Sequence, residues 1–160
     1  MRYITRQLYQ SMQGGSGSSP EEVNRRWHEA CECYQAELNS IKACLPPGMR
    51  SFAAVTLHDG VVNSADQSRP GCVELRIDAT NNPWGPRGWY RVEFRGVREV
   101  EGLADIMGDD WLYEEVHLHS LGGFEYCVLL WRSEFRVVAD EVIFETMSGP
   151  QTGDSSMPTR

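Results

Sequence analysis

The sequence predicts an α+β fold in which N-terminal helices, one of them long and amphipathic, pack on a curved antiparallel sheet of about six or seven strands. Apolar residues recur every three or four positions in the N-terminal part of the chain, and at every second position in most later segments. The strand-like segments are joined by connections too short for crossover helices, so neighbouring strands must run antiparallel.

The chain begins with a short predicted helix over residues 3–13. Thr5 is a suitable N-cap for it, and Ile4 and Leu8 lie four positions apart, which places them on one helix face. Residues 14–18 are glycine and serine only, a composition typical of a flexible linker.

The second helix is long and has clear boundaries. Ser19 is the predicted N-cap, Pro20 follows at the first helical position, and Glu22 completes a capping box. Residues 46–48, Pro-Pro-Gly, end the helix. Its apolar stripe consists of Val23, Trp27, Ala30, Tyr34, Leu38, Ile41 and Leu45.

Strands are predicted wherever alternation or an apolar run is bounded by turn residues. Turn-rich or polar loops are predicted over 63–71 and 81–88, and one helical turn over 102–110. The predicted strands are 52–57, 72–78, 89–94, 111–119, 124–131, 135–139 and 142–144.

A single domain is predicted over residues 1–147. Chains of this size bury roughly 70% of their unfolded surface, which is enough for a self-sufficient core. Residues 148–160 are rich in Ser, Thr, Pro and Gly, and this composition predicts a disordered tail.

Charge and composition restrict the class of partner. The formal net charge is −8 and the pI is about 5.0, which argues against nucleic-acid binding and favours a basic or neutral protein partner. No window approaches the roughly 20 apolar residues of a membrane span. The 5 cysteines are odd in number and lack the spacing of secreted scaffolds, so we expect reduced thiols and a cytoplasmic location.

Two histidines and a carboxylate form a candidate metal site. Glu115, His117 and His119 alternate along one predicted strand and therefore project from one face about 7 Å apart. These ligand types suit a divalent metal such as zinc or iron, with Glu125 as an alternative third ligand. The pattern resembles the first metal motif of cupins, although the acid is one residue late and no second motif follows. The alternative is two solvent-facing histidines beside a Gly-Gly turn.

Aromatic residues form a second group of candidates. Trp84 lies at the centre of a proline-stiffened loop, and Trp89 follows that loop closely. Exposed aromatic side chains bury a large area on binding at little entropic cost, so we predict Trp84, Trp89 and Tyr113 as binding residues. Alternatively, Trp84 folds back over the core.

Sequence motifs give little support for catalysis. No nucleophile elbow, cysteine-nucleophile signature or phosphate-binding loop occurs, so no catalytic residue is named. His58 and Asp59 are adjacent at the end of a predicted strand, where neighbouring side chains point to opposite faces. A role in the turn is therefore favoured over proton transfer. The sequence favours a non-enzymatic protein but does not decide whether the protein is an enzyme.

One resemblance covers most of the chain. The opening M-R-Y-I-T-R-Q-L-Y, the following helices, and the segments W-L-Y-E-E and F-E-Y-C-V-L-L-W resemble a family of small, uncharacterised bacterial proteins over residues 1–145. The resemblance implies a bacterial cytosolic protein, and it supplies no catalytic residues.

Three functional hypotheses remain. The first is a non-enzymatic interaction module with a basic or neutral partner, similar in charge and size to immunity-type proteins that block basic toxin enzymes. The second is a small metal-dependent enzyme or metal-binding domain that uses His117 and His119. The third is small-ligand binding inside a curled sheet lined by Trp89, Tyr113 and Trp131. The sequence does not decide the oligomeric state.

Overall fold

The computed structural model describes residues 1–15 and 17–149, and within them the chain is α+β, as predicted. The α-helices are α1 (Arg6–Gln10), α2 (Pro20–Ile41) and α3 (Pro47–Phe52). The strands are β1 (Val61–Asp66), β2 (Cys72–Asp78), β3 (Trp89–Arg95), β4 (Glu99–Glu101), β5 (Trp111–Leu118), β6 (Phe124–Leu130), β7 (Glu134–Ala139) and β8 (Glu141–Met147).

The strands form two antiparallel sheets, so the prediction of one curved sheet is wrong. The first sheet has the order β1-β2-β3-β8 and the second the order β4-β7-β6-β5. The chain changes sheet between β3 and β4, where Gly96 has a φ of 63°, and again at Asp140 between β7 and β8. Alternation shows only that one face of a strand is buried, and therefore cannot distinguish two facing sheets from one curled sheet.

The core lies between the two sheets. Phe94 of β3 lies 6.4 Å from Phe124, 5.7 Å from Tyr126 and 6.1 Å from Phe135, measured between ring centroids. All four side chains are almost fully buried. The aromatic contacts therefore join the first sheet to the second.

The predicted caps of the first two helices are confirmed. Thr5 Oγ1 accepts a hydrogen bond from the Leu8 N–H at 3.2 Å, and Ser19 Oγ accepts one from the Glu22 N–H at 3.3 Å. The capping box is only half formed, because the Glu22 carboxylate pairs with Arg25. Helix α1 is shorter than predicted and continues into a π-type turn, Ser11–Gly15. Of the predicted linker 14–18, residue 16 lies outside the described residues.

Two segments differ in secondary structure from the prediction. Residues 52–57 do not form a strand, because Pro47 begins a new helix that ends at Phe52. Residues 63–71, predicted as a loop, include most of β1, a strand at the edge of its sheet whose solvent-facing side carries polar residues. The short strand β4 was not predicted. Residues 150–160, most of the predicted tail, lie outside the described residues.

Helix α3 lies directly on strand β8. Its Gly48 approaches the backbone carbonyl of Val142 so closely that a Cβ atom would overlap it. Phe52 at the end of this helix packs against Phe144, with the ring centroids 5.0 Å apart and the rings tilted by 32°. Only glycine permits this approach between two backbones.

Candidate functional site

A row of aromatic rings crosses the surface between the N-terminal helices and the loops before β1, β3 and β7. The centroid of Tyr113 lies 6.0 Å from Tyr9, 5.0 Å from Trp27 and 5.3 Å from His58. Trp131 extends the row from Tyr9 at 6.2 Å, and Trp84 extends it from His58 at 4.2 Å. We call this set the aromatic surface; it consists of Tyr9, Trp27, His58, Trp84, Tyr113 and Trp131.

The two ends of the aromatic surface are exposed. The exposed fraction is 67% for Trp84 and 54% for Trp131, whereas Tyr9 and Tyr113 between them are half-buried. A cleft of about 300 Å³ opens beside Trp131 and is lined by Tyr9, Arg6 and two glutamines. Large exposed aromatic rings that are connected to each other are typical of a binding surface.

A buried asparagine holds the loop that carries Trp84. Asn82 is fully buried; its Oδ1 accepts hydrogen bonds from the N–H groups of Trp84 at 3.0 Å and Gly85 at 2.9 Å. Its Nδ2 donates to the Thr56 carbonyl at 2.7 Å, and its own carbonyl accepts from Arg87 Nε at 3.1 Å. These hydrogen bonds therefore fix the conformation of the loop.

A buried aspartate holds the turn that carries Trp131. Asp109 is fully buried and accepts hydrogen bonds from the backbone N–H groups of Asp110 at 3.0 Å, Arg132 at 3.0 Å and Ser133 at 2.9 Å, and from Ser133 Oγ at 2.7 Å. Burial would raise the pKa of Asp109, but these donors outweigh it and lower the pKa. The turn that presents Trp131 is thus built around an ionised carboxylate.

His58 and Asp59 lie in the middle of the aromatic surface and also form a turn. The His58 Nδ1 lies 2.6 Å from the Leu112 carbonyl, which can only accept, so this nitrogen carries the proton. Its Nε2 lies 3.5 Å from Asp59 Oδ1. Asp59 has a φ of 60°, and its N–H donates to the Trp111 carbonyl at 2.8 Å.

The predicted binding residues fall into two groups. Trp84 and Tyr113 both belong to the aromatic surface, where each contacts His58. Trp89 begins β3 and pairs with Met147; among the described residues it makes no ring contact with the aromatic surface. The cleft beside Trp131 is lined by neither Trp89 nor Tyr113.

The candidate metal residues lie elsewhere, in a buried ionic network. His117 and Glu115 are fully buried on β5, beneath α2 and the N-terminus. The His117 Nδ1 lies 2.8 Å from Glu37 Oε1, and its Nε2 lies 3.1 Å from Glu115 Oε2. Both neighbours are carboxylates, so both ring nitrogens act as donors and the imidazole is an imidazolium.

The N-terminal segment closes over this network. The Glu115 carboxylate accepts hydrogen bonds from the backbone N–H groups of Arg2 at 2.6 Å, Tyr3 at 3.0 Å and Ile4 at 2.6 Å. The Tyr3 hydroxyl donates to Glu37 Oε2 at 2.7 Å. Charged side chains of β5 and α2 therefore hold the first residues of the chain in place.

The pKa values in the network reflect this pairing. Burial would lower the pKa of His117, but its bonds to Glu115 and Glu37 outweigh burial and raise it. Burial would raise the pKa of Glu115, and the donors from His117 and the N-terminal backbone outweigh it and lower the pKa. The pKa of Glu37 is lowered in the same way, by His117 and Tyr3 against burial.

The alternative of two solvent-facing histidines is wrong for His117, which is inaccessible. His119 lies beyond the end of β5, where its Nδ1 accepts from the Leu121 N–H at 3.4 Å in the following turn. Glu125, which pairs with His117 across the strands, bonds to Arg136 at 2.8 Å. In residues 1–15 and 17–149, no group of three or more His, Cys, Asp or Glu side chains is arranged to hold a metal ion.

Comparison with known proteins gives a family whose function is not known. The model of a family described as "Protein of unknown function (DUF4085)" matches residues 7–137. The chain belongs to this family. No curated protein and no solved structure matches the chain significantly. This match confirms the predicted resemblance to an uncharacterised family. The description of the family assigns no activity to the chain. No helix in the described residues is both long and apolar enough to cross a membrane.

Several residues that build these sites were missed in the sequence. Asn82 lies in the predicted loop 81–88 and Asp109 in the predicted helical turn 102–110, and nothing in the sequence marks either residue as buried. Glu37 faces the sheet from α2, one position before Leu38 of the predicted apolar stripe. In the sequence, only this position beside the apolar stripe indicated that the Glu37 carboxylate would contact β5.

Proposed function

We propose that this member of DUF4085 is a non-enzymatic interaction module that binds a basic protein partner through the aromatic surface. The observation that carries the proposal is the pair of exposed tryptophans, Trp84 and Trp131, joined by contacting rings. Tryptophan and tyrosine dominate the binding energy of protein interfaces because they bury a large area with few rotatable bonds.

The rigidity of this surface supports the proposal. Each exposed tryptophan lies in a turn fixed by a fully buried polar side chain, Asn82 or Asp109. A surface that is already ordered loses little conformational entropy on association. Both buried side chains accept hydrogen bonds from backbone N–H groups of the turn, and without these bonds the turn could change conformation.

Charge supports a basic partner. The chain has a formal net charge of −8 at pH 7, and Asp59 places a carboxylate among the rings. Electrostatic complementarity accelerates association and selects partners of opposite charge. Immunity-type proteins, which bind and block basic toxin enzymes, are a class of interaction module with this profile, and we propose a partner of that charge class.

Selection from a displayed library of random peptides against the full chain tests the proposal. We expect enrichment of peptides rich in arginine and lysine, and their affinity should fall as salt is raised. The double variant Trp84→Ala/Trp131→Ala should lose at least about tenfold in affinity, because it removes both exposed anchors.

The matched control is Leu121→Ala. Leu121 is 77% exposed, but it lies in the β5–β6 turn, at the opposite end of β6 from Trp131. Its removal should leave affinity unchanged. Enrichment of acidic or neutral peptides, or equal binding by the double tryptophan variant, would overturn the proposal.

A further inference from the structure

Asp59 and Asp109 are two aspartates close to the aromatic surface, and their surroundings differ. The side chain of Asp59 is 52% exposed, and in the described residues the one basic group recorded within 4.0 Å of its carboxylate is His58. Asp109, by contrast, is buried and pairs with Arg132. The Asp59 carboxylate is therefore available to a group that arrives from solvent.

The nearby arginines do not supply that group, because they are engaged elsewhere. Arg6, beside Tyr9, donates to the carbonyls of Leu130 and Ser133 and pairs with Glu134. These contacts direct its guanidinium toward the β6–β7 turn.

Arg87, in the Trp84 loop, is engaged in the same manner. It donates from Nε to the Asn82 carbonyl at 3.1 Å, within its own loop. The aromatic surface therefore has the Asp59 carboxylate and several π faces beside it, and the recorded bonds of the two nearby arginines go to other groups.

Aromatic faces close to the carboxylate complete a site for a cation. His58 lies 3.5 Å from Asp59 Oδ1, and the Trp84 ring stacks on His58 with 4.2 Å between centroids and 35° between planes. Tyr113 flanks His58 on another side at 5.3 Å. The negative face of an indole attracts a cation, and Asp59, which contacts the His58 ring next to Trp84, supplies a carboxylate for an ion pair.

We propose that this part of the aromatic surface binds an arginine side chain of the partner, with the guanidinium paired to Asp59 and stacked on Trp84. The inference rests on the proposed function and specifies its ligand. A guanidinium is planar, so it can stack on an indole face and donate hydrogen bonds in its plane to a carboxylate at the same time. A lysine ammonium is a compact, strongly hydrated charge without a plane that can stack, so it fits this arrangement less well.

The backbone at Asp59 permits a decisive set of variants. Its φ of 60° lies in the left-handed region, which glycine and asparagine adopt at least as readily as aspartate. Asp59→Gly and Asp59→Asn should therefore keep the melting temperature at or above that of the native chain. A loss of binding in these variants then reports the carboxylate rather than the fold.

The test is a titration of the full chain, labelled with ¹⁵N, with Nα-acetyl-arginine amide, and in parallel with the lysine and citrulline analogues. The indole N–H resonance of Trp84 is identified by its absence from the spectrum of Trp84→Ala. We expect arginine to shift this resonance with an affinity several-fold higher than lysine, and citrulline to be weakest because it lacks the charge. Both Asp59 variants should reduce arginine affinity several-fold.

Equal binding of arginine and citrulline, or unchanged arginine affinity in both Asp59 variants, would overturn the inference. These results leave the proposed function standing if selected basic peptides still lose affinity in the double tryptophan variant. If the peptides bind that variant as well as the native chain, the proposed function fails independently of the arginine result.

Discussion

The His117 Nε2 lies 3.1 Å from Glu115 Oε2, and neither side chain is accessible to solvent. The other ring nitrogen, Nδ1, lies 2.8 Å from Glu37 Oε1, so the imidazolium lies between two carboxylates. Buried charges are tolerated only when each is paired and hydrogen-bonded, and the backbone amides of the N-terminal segment complete that requirement for Glu115. The network therefore links β5, α2 and the first residues of the chain.

Removing His117 should be far more damaging than removing its neighbour His119. His117→Ala leaves two carboxylates without their shared donor, and we expect the free energy of unfolding to fall by roughly 3–5 kcal/mol. His119→Ala removes a partly exposed turn residue and should cost no more than about 0.5 kcal/mol. Chemical denaturation of both variants measures the difference, and equal losses would contradict it.

Metal analysis of the same proteins tests the site predicted from the sequence. A metal ion bound by both histidines would be present in the native chain and lost from both variants. The ionic network instead predicts that the two variants differ in stability and not in metal content.

The stabilisation from the network should depend on pH. The contribution of His117 is fully present below its ordinary pKa of 6.5 and is lost as pH rises through its higher folded value. The contribution of Glu115 is present above its ordinary pKa of 4.5 and is lost as pH falls through its lower folded value. The network therefore stabilises most between about pH 4.5 and 6.5.

The measurement is the difference between the pH–stability profiles of the native chain and His117→Ala. Burial raises the pKa of Glu114 to about 7, against the hydrogen bond from Trp111, so this group also makes stability pH-dependent. Its contribution is common to both proteins and is removed by the subtraction. A difference profile that is flat from acid to alkaline pH would refute the pairing.

Glu115→Gln should loosen the N-terminal segment. The amide keeps the volume of the side chain, but it has one acceptor oxygen in place of a carboxylate that receives the amides of Arg2, Tyr3 and Ile4. We expect hydrogen exchange at these amides to accelerate by at least about tenfold, which corresponds to roughly 1.4 kcal/mol of local opening.

Glu125→Gln is the matched control for that experiment. Glu125 lies on the neighbouring strand, and its carboxylate bonds to Arg136 and the Arg2 side chain rather than to the N-terminal amides. Exchange at Tyr3 and Ile4 should remain slow in this variant. Equal acceleration in both variants would show that the Glu115 contacts do not hold the segment.

Asn82→Ala should destabilise the protein more than Trp84→Ala does. Asn82 is fully buried, and its loss leaves the Thr56 carbonyl and the N–H of Trp84 without partners, at a cost of about 2–3 kcal/mol. The indole of Trp84 is largely exposed, so its removal should cost about 1 kcal/mol through the lost stacking on His58.

Thermal unfolding of the two variants shows which substitution destabilises the protein more. The same Asn82→Ala protein should also bind basic peptides more weakly, because the loop that presents Trp84 is no longer fixed. Larger destabilisation by Trp84→Ala would mean that this tryptophan serves the core, the alternative that the sequence left open.

The elements with local determinants were predictable. Ser19 and Pro20 define the start of α2, and β2 was predicted over 72–78, the residues it occupies, because its alternation is regular. The arrangement in two sheets was not predictable, since it depends on turns such as Gly96 and Asp140 that redirect the chain. Residues 52–57 show the same limit, because an apolar segment after Pro47 is compatible with either a helix or a strand.

The sites were predictable only where local sequence patterns determine them. Residue type selected Trp84 and Tyr113, whose role in binding stays a prediction, and strand parity placed Glu115 and His117 on one face, where they are in contact. Parity could not show that α2 and the N-terminus cover that face, or that Glu37 meets His117, 80 positions further along the chain. Contacts between residues distant in sequence are set by tertiary packing, which local patterns do not encode.

The contact of Gly48 with Val142 has a consequence for how the protein behaves when concentrated. β8 is the last strand of its sheet, and an uncovered terminal strand offers free backbone groups to any other extended chain. The close approach at Gly48 places α3 against this strand. A Cβ atom at this position would overlap the Val142 carbonyl, so we expect Gly48→Ala to push α3 away from β8 and to increase self-association of the protein.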